Sequence, residues 1–215
     1  TVEETIMNSY EWYEENHITL INDDPVEKVD RQSKKIITQK GIELEYDICI
    51  FATGSKAFVL PIEGSNLPSV IGWRTIQDTE QIIDIASKKK KAIVIGGGLL
   101  GLECARGLLD QGMDVTVLHL AEWLMEMQLD RKAGDMLRAD LEKQGMKFEL
   151  QANSKRIIGD EDVEAVELAD GRVIETDLVV MAVGIRPFTE VAREAGLEVN
   201  RGIVVNDYLQ TSDEH

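Results

Sequence analysis

The sequence predicts an α/β protein: a complete Rossmann-like, three-layer dinucleotide-binding domain joined to part of a second domain of the same class. Three observations predict it. The apolar strand Ala92-Ile93-Val94-Ile95 runs directly into Gly96-Gly97-Gly98-Leu99-Leu100-Gly101 and then into a helical pattern. A second apolar strand, Leu178-Val179-Val180-Met181, ends in Ala182-Val183-Gly184. The stretch leading up to that second strand is matched by an earlier stretch of the chain. Continuous apolar strands belong to parallel sheets covered on both faces, and alternation of such strands with helices points to a doubly wound fold.

The elements follow in order. Residues 3–13 read as a helix and residues 18–21 as a short strand. Apolar alternation marks strands near 26–29, 35–38 and 42–44, with a turn at Lys40-Gly41. Asp47 introduces Ile48-Cys49-Ile50-Phe51-Ala52, an apolar strand ending in Thr53-Gly54. Pro61, Gly64 and Pro68 break the chain into an irregular connection. Residues 75–88 read as a helix. The run Lys88-Lys89-Lys90-Lys91 reads as a solvated helix end, where the dipole favours cations. After the glycine turn a helix runs to about Gln111 and Gly112 stops it. Residues 114–118 form the next strand, Asp130 caps a helix to Gln144, and Gly145 ends it. Residues 154–158 and 163–168 alternate as meander strands, and Asp170-Gly171 is a tight-turn signal.

The two matching stretches suggest an internal repeat, which changes the fold reading. Each has meander strands, a glycine turn, a short strand, an Asp, an apolar strand and a closing glycine. Gly98 lies 86 residues before Gly184. The same offset from Gly54 puts the first copy's glycine motif before residue 1. The missing initiator Met agrees with an upstream start.

Gly96-x-Gly98-x-x-Gly101 is weak alone, but here it follows a strand and opens a helix. Gly96 permits a sharp turn, Gly98 permits close approach of a pyrophosphate, and Gly101 permits close packing of helix on strand. Amides at the helix N-terminus attract phosphate charge, so Gly96, Gly97, Gly98, Leu99, Leu100 and Gly101 are the expected cofactor-binding turn. An acid that bonds the ribose 2′-hydroxyl is expected about twenty residues on. His119 stands there instead, with Glu122 a turn later and no Arg nearby. The sequence therefore leaves NAD and NADP both open. Glu103, on the first turns of the helix, has two readings: a partner of the helix dipole, or a carboxylate facing the nicotinamide. The second is adopted as the expected catalytic assignment.

Composition narrows the function. The chain has 215 residues, 43% hydrophobic, with a net charge of −17. Such an acidic balance repels nucleic acid and anionic membranes. The longest apolar run is too short to span a bilayer, and the acidic start does not resemble a signal peptide. The only cysteines, Cys49 and Cys104, each sit in apolar runs, with no metal-binding or dithiol spacing. Two buried thiols suit a reducing cytoplasm.

The glycine turn through Glu103, together with Ala52-Thr53-Gly54-Ser55, Arg74-Thr75 and Gly184-Ile185-Arg186-Pro187, resembles the FAD-dependent pyridine nucleotide-disulfide oxidoreductase superfamily. Within it, Glu11-Trp12-Tyr13-Glu14-Glu15, Leu99-Leu100-Gly101-Leu102-Glu103 and Glu126-Met127-Gln128-Leu129-Asp130 resemble the N-terminal part of NAD(P)H-dependent nitrite reductase large subunits. NADH oxidases and rubredoxin or ferredoxin reductases share the core motifs. The resemblance implies that residues 1–77 are part of a FAD-binding domain, 78–187 a NAD(P)-binding domain, and 188–215 the return to the FAD-binding domain. It implies FAD and NAD or NADP as cofactors. Ala52, Thr53 and Gly54 then run past the flavin dinucleotide, Glu103 lies near the nicotinamide–flavin junction, and Val183 and Gly184 lie beside the bound dinucleotide. Iron–sulfur and sirohaem groups belong, on this resemblance, to a part beyond residue 215. The implied partner is an electron-acceptor domain or protein, and a homo-oligomer is left open. Two departures stand out: Phe188 where the family often has Asn, and His119 where many NADH-specific members have Glu. Two other readings stay in view. One is a binding module that holds a dinucleotide without FAD, and the other is a disulfide reductase whose dithiol precedes Thr1.

Overall fold

A computed structural model describes residues 6–215. The chain divides into two compact units. The smaller holds the described residues up to Lys56 together with Arg186–His215, and the larger is Ala57–Ile185. The five-stranded sheet of the larger unit begins at residue 70, upstream of residue 78, where sequence reading set the start of the nicotinamide domain.

The smaller unit contains α1 (Tyr10–Glu15) and the strands β1 (Val26–Asp30), β2 (Lys35–Thr38) and β3 (Glu43–Glu45). Ser9 caps α1 by accepting from the Trp12 amide at 3.3 Å. The helix expected over 3–13 is thus found later and shorter; residues 3–5 lie outside the described residues. The strand expected over 18–21 is absent, and Ile18, Leu20 and Ile21 are exposed. β1, β2 and β3 form an antiparallel meander in sequence order.

The strand expected over 48–52 does not form either, and Ile48 and Ile50 are 65% and 84% exposed. An all-apolar strand is stable when neighbours pair with it and layers cover both faces. The described residues give this segment no strand partner; its Cys49 amide donates to the His215 carbonyl at 2.6 Å. The chain next passes through β4 (Ser55–Ala57) into the larger unit.

There the parallel sheet has the order β5 (Val70–Gly72), β12 (Leu178–Met181), β6 (Lys91–Ile95), β7 (Asp114–His119), β8 (Lys147–Leu150). The chain runs from β5 through α2 (Ile76–Ala86) to β6 (Lys91–Ile95), then α3 (Leu99–Asp110), β7 (Asp114–His119), α4 (Arg131–Lys143) and β8 (Lys147–Leu150). It then forms β9 (Ser154–Ile158), β10 (Ala165–Leu168) and β11 (Val173–Glu175), and returns as β12 (Leu178–Met181) beside β6. Sequence reading foresaw β6, β7 and β12 but not β8. Beyond β13 (Ile185–Pro187) the smaller unit resumes with α5 (Glu190–Glu194).

Period-two alternation builds three layers. Ala92 and Val94 of β6, with Leu178 and Val180 of β12, face Ile82 of α2 and Leu102, Ala105 and Leu108 of α3. Ile93, Ile95, Val179 and Met181 face Ile157, Val166 and Leu168 of the β9–β10–β11 meander. Helices cover one face and the meander covers the other, which is why β6 and β12 are apolar throughout. Helix starts follow local chemistry: Thr75 and Asp78 form a reciprocal capping box on α2, and Asp130 caps α4 through the Ala133 amide. No described helix is long and apolar enough to cross a membrane.

The lysine run is more engaged than a solvated helix end. Lys88 pairs with Asp84, and Lys91 with Glu175. Lys89 is partly buried, bonding Asp162, the Ser69 hydroxyl and the Asp177 carbonyl.

Candidate dinucleotide site

β6 has its successors β7 and β8 on one side and the later β12 on the other, so the crossover direction reverses at its carboxyl end. Open α/β sheets bind ligands at such a reversal. The glycine turn lies there, beside a cavity of about 410 Å³.

The glycines divide their work. Gly96 has φ +120°, and a Cβ on it would sit 2.4 Å from the Ala182 carbonyl oxygen. Gly101 is buried, and a Cβ there would meet the Gly96 carbonyl oxygen at 1.9 Å, so only glycine lets α3 lie this close to the turn. A Cβ on Gly98 would meet nothing within 4 Å. That empty space faces outward at the N-cap of α3, where no side chain caps the helix. The amides of Gly98, Leu99 and Leu100 donate to nothing among the described residues. Uncapped amides with the dipole behind them suit an anion.

His119, the last residue of β7, is 7% exposed. Its Nδ1 accepts the Gly97 amide at 3.0 Å, and its Nε2 lies 2.9 Å from Oε2 of Glu126. Acceptance at Nδ1 assigns the hydrogen to Nε2, which donates to the carboxylate. The ring is therefore spent inside the protein, with neither nitrogen free to face a ribose. A Cβ on Gly97 would strike this ring at 2.7 Å, so the middle glycine is needed for the imidazole to pack.

The cavity brings together Gly96, Gly97, Gly98, Leu99, His119 and Val183 of the expected residues. Leu100 is half-exposed beside it, and Gly184, at φ +109°, gives its carbonyl to the Phe58 amide at 2.9 Å. Glu103 is not on this cavity. It lines a second one of about 150 Å³ between α2 and α3, with Trp73, Thr79 and Gln111, and forms no hydrogen bond or ion pair among the described residues. Neighbouring Cys104 is buried, and burial pushes its thiol up to about 12, so it is inert as a nucleophile at neutral pH. Ala52, Thr53 and Gly54 belong to the smaller unit. There the Thr53 hydroxyl donates to the Phe188 carbonyl at 2.6 Å, and the Phe188 amide donates to the Gly54 carbonyl.

Among the cavity-lining residues that sequence reasoning did not single out for it are Ser154 and Glu126. Ser154, at the start of β9, holds a buried hydroxyl with no partner among the described residues. Glu126 sits in the turn after β7, pinned to the glycine turn because the Met125 amide donates to the Gly97 carbonyl at 3.0 Å. An orphaned hydroxyl, uncapped helix amides and an open Gly98 all fit a bound dinucleotide.

Comparison with known proteins agrees with this geometry. Residues 3–215 match the family described as pyridine nucleotide-disulphide oxidoreductase. The chain belongs to that family. The nitrite reductase [NAD(P)H] of Bacillus subtilis strain 168 is 51% identical over 214 residues, which is 100% of this chain and 27% of the relative. The assimilatory nitrate reductase electron transfer subunit of the same organism is 41% identical, over 99% of this chain and 28% of its own length. The ferredoxin reductase for the CYP199A2 system from Rhodopseudomonas palustris superposes with a TM-score of 0.91 at 30% identity, covering 97% of this chain and 52% of that one. The chain thus spans about a quarter of the length of these two curated relatives. The family implies FAD and a nicotinamide dinucleotide as its cofactors, and the α/β fold is the family's own.

Proposed function

We propose that the larger unit, which contains nearly all of residues 78–187, binds NADH or NADPH at the glycine turn, and that residues 1–77 and 188–215 contribute to FAD binding in an NAD(P)H-oxidising flavoenzyme of nitrite reductase type. The observation that carries this reading is the uncapped N-terminus of α3 facing the cavity with Gly98 open toward it. The first amides of α3 hold the pyrophosphate, Gly98 lets it approach, and Val183 and the Ser154 hydroxyl line the remaining wall. When bound, FAD supplies the two-electron acceptor for the nicotinamide hydride and releases electrons singly to an acceptor domain or protein. Ala52, Thr53 and Gly54 are the residues of this chain that run past it. An enzyme of this type carries its iron–sulfur and sirohaem groups outside these residues.

Glu103 faces the α2–α3 cavity and not the one at the glycine turn; from one turn into α3 it is proposed to act at the reacting end of the dinucleotide, beyond the pyrophosphate. Misplacement of reacting atoms by about 1 Å costs on the order of a hundredfold in rate. The test is stopped-flow flavin reduction by NADH in the full-length enzyme. E103A is expected to slow reduction while leaving NADH affinity within a few fold, and E103Q to be mild. A lower melting temperature with an unchanged reduction rate would reassign Glu103 to the helix dipole.

A second reading has its own observation. Residues 48–54 form no strand, and Ile50 is 84% exposed, which favours a dinucleotide-binding module without flavin for the chain by itself. An absorbance scan of the purified chain separates the two: a yellow protein supports flavin binding, a colourless one that still binds NADH supports the module.

A further inference from the structure

We propose that Glu126 is the residue that selects the unphosphorylated dinucleotide, reading the adenosine ribose in place of the acid missing from the end of β7. This inference rests on the proposed dinucleotide site. Glu126 lies seven residues beyond the strand end, yet its carboxylate is brought back to that end by His119. The chain of contacts is continuous: Gly97 amide to Nδ1 at 3.0 Å, then Nε2 to Oε2 of Glu126 at 2.9 Å. The Met125 amide, bonded to the Gly97 carbonyl, fixes the same turn from its backbone. The glycine loop therefore sets the position of the carboxylate, and His119 is a positioning residue.

The carboxylate is placed for a ligand. His119 is 8% exposed at its side chain and Glu126 35%, so the ring is inside and the acid reaches the cavity. Oε2 is occupied by His119, while Oε1 has no partner among the described residues. A carboxylate oxygen with free lone pairs accepts from a ribose hydroxyl and repels a 2′-phosphate. The cavity lining holds neither Lys nor Arg, so nothing there neutralises that phosphate. The nearest arginine on the following helix, Arg131, is paired with Glu122.

The test measures dissociation constants of NAD⁺ and NADP⁺ by calorimetry on the intact chain, for the wild type, E126Q and E126S. Glutamine keeps an acceptor for the His119 Nε2 hydrogen and removes the charge. Serine, the second variant, removes the reach as well. The wild type is expected to favour NAD⁺. E126Q is expected to move the NADP⁺ to NAD⁺ affinity ratio toward NADP⁺ by about tenfold, the scale of one like-charge contact near solvent. An unchanged ratio in both folded variants, with NAD⁺ still bound, would overturn the assignment while leaving the dinucleotide site standing. Failure of the wild type to bind either dinucleotide would overturn the site itself and this inference with it.

Discussion

At the scale of single residues, the glycine turn separates positions that serve the fold from one that serves a ligand. A Cβ at position 101 collides with backbone, and backbone cannot move aside as a side chain can. Gly101→Ala is expected to destabilise the protein by about 1–3 kcal/mol, as overpacking does. A Cβ at position 98 enters empty space at ordinary backbone angles, so Gly98→Ala is expected to cost under about 1 kcal/mol, through its N-cap preference alone. It should nonetheless weaken NADH binding by about tenfold or more, or 1.4 kcal/mol. Melting temperature and calorimetry on both variants check this, and equal NADH affinity for Gly98→Ala and wild type would show that the open space is not the pyrophosphate's. The spacing, read between an apolar strand and a helical pattern, announced these three glycine positions, because turn, approach and packing each demand a missing side chain at a set distance. Glu126 was not legible in that way. Its place depends on the irregular turn between His119 and Asp130, where Met125 takes φ +55°, and no periodicity encodes such a path.

At the scale of elements, local chemistry predicted starts and stops well. Asp130, Gly112 and Gly145 begin or end helices within a residue or two of where capping rules put them, and the helix read from Thr75 starts there, capped by that residue. Elements that depend on partners were harder to read. Residues 18–21 and 48–52 have strand composition but lack a paired neighbour among the described residues, whereas β8, with the mixed pattern Lys147-Phe148-Glu149-Leu150, forms because β7 offers it an edge. The join between β5, the β9–β10 turn and the start of β6 has an electrostatic consequence. Burial pushes the Asp162 carboxyl up, but bonds from Lys89, Ser69 and the Val163 amide outweigh it and hold the group at about 2, below its ordinary 3.8. A depressed carboxylate contributes stability that is whole above the unfolded value and is lost as pH falls through the folded one. Between pH 5 and pH 2, wild type is expected to lose more thermal stability than Asp162→Asn. Parallel melting curves over that range would mean that the bridge contributes nothing to acid sensitivity.

At the scale of the whole molecule, stability is unevenly distributed. β6, β7 and β12 are buried in the larger unit with both faces covered, while Ile48, Ile50, Tyr208 and Leu209 of the smaller unit are exposed. Native-state hydrogen exchange is expected to protect the amides of Val94, Val117 and Val180 strongly and those of Ile50 to Gly54 weakly, since exchange follows local burial and bonding. Comparable protection in the two sets would contradict this distribution. The smaller unit is also discontinuous in sequence, because the larger one is inserted within it. Arg31 bonds Asp213 across 182 residues, and also reaches the Ala195 and Gly196 carbonyls. In an unfolded chain that contact closes a very long loop. Once the insert has folded, the Phe58 amide sits on the Gly184 carbonyl, and the free chain between Arg31 and Asp213 shrinks to roughly a third. The entropy of closure then falls by about 1 kcal/mol. Folding of the insert thus lowers the entropic cost of bringing together the two separated segments of the smaller unit.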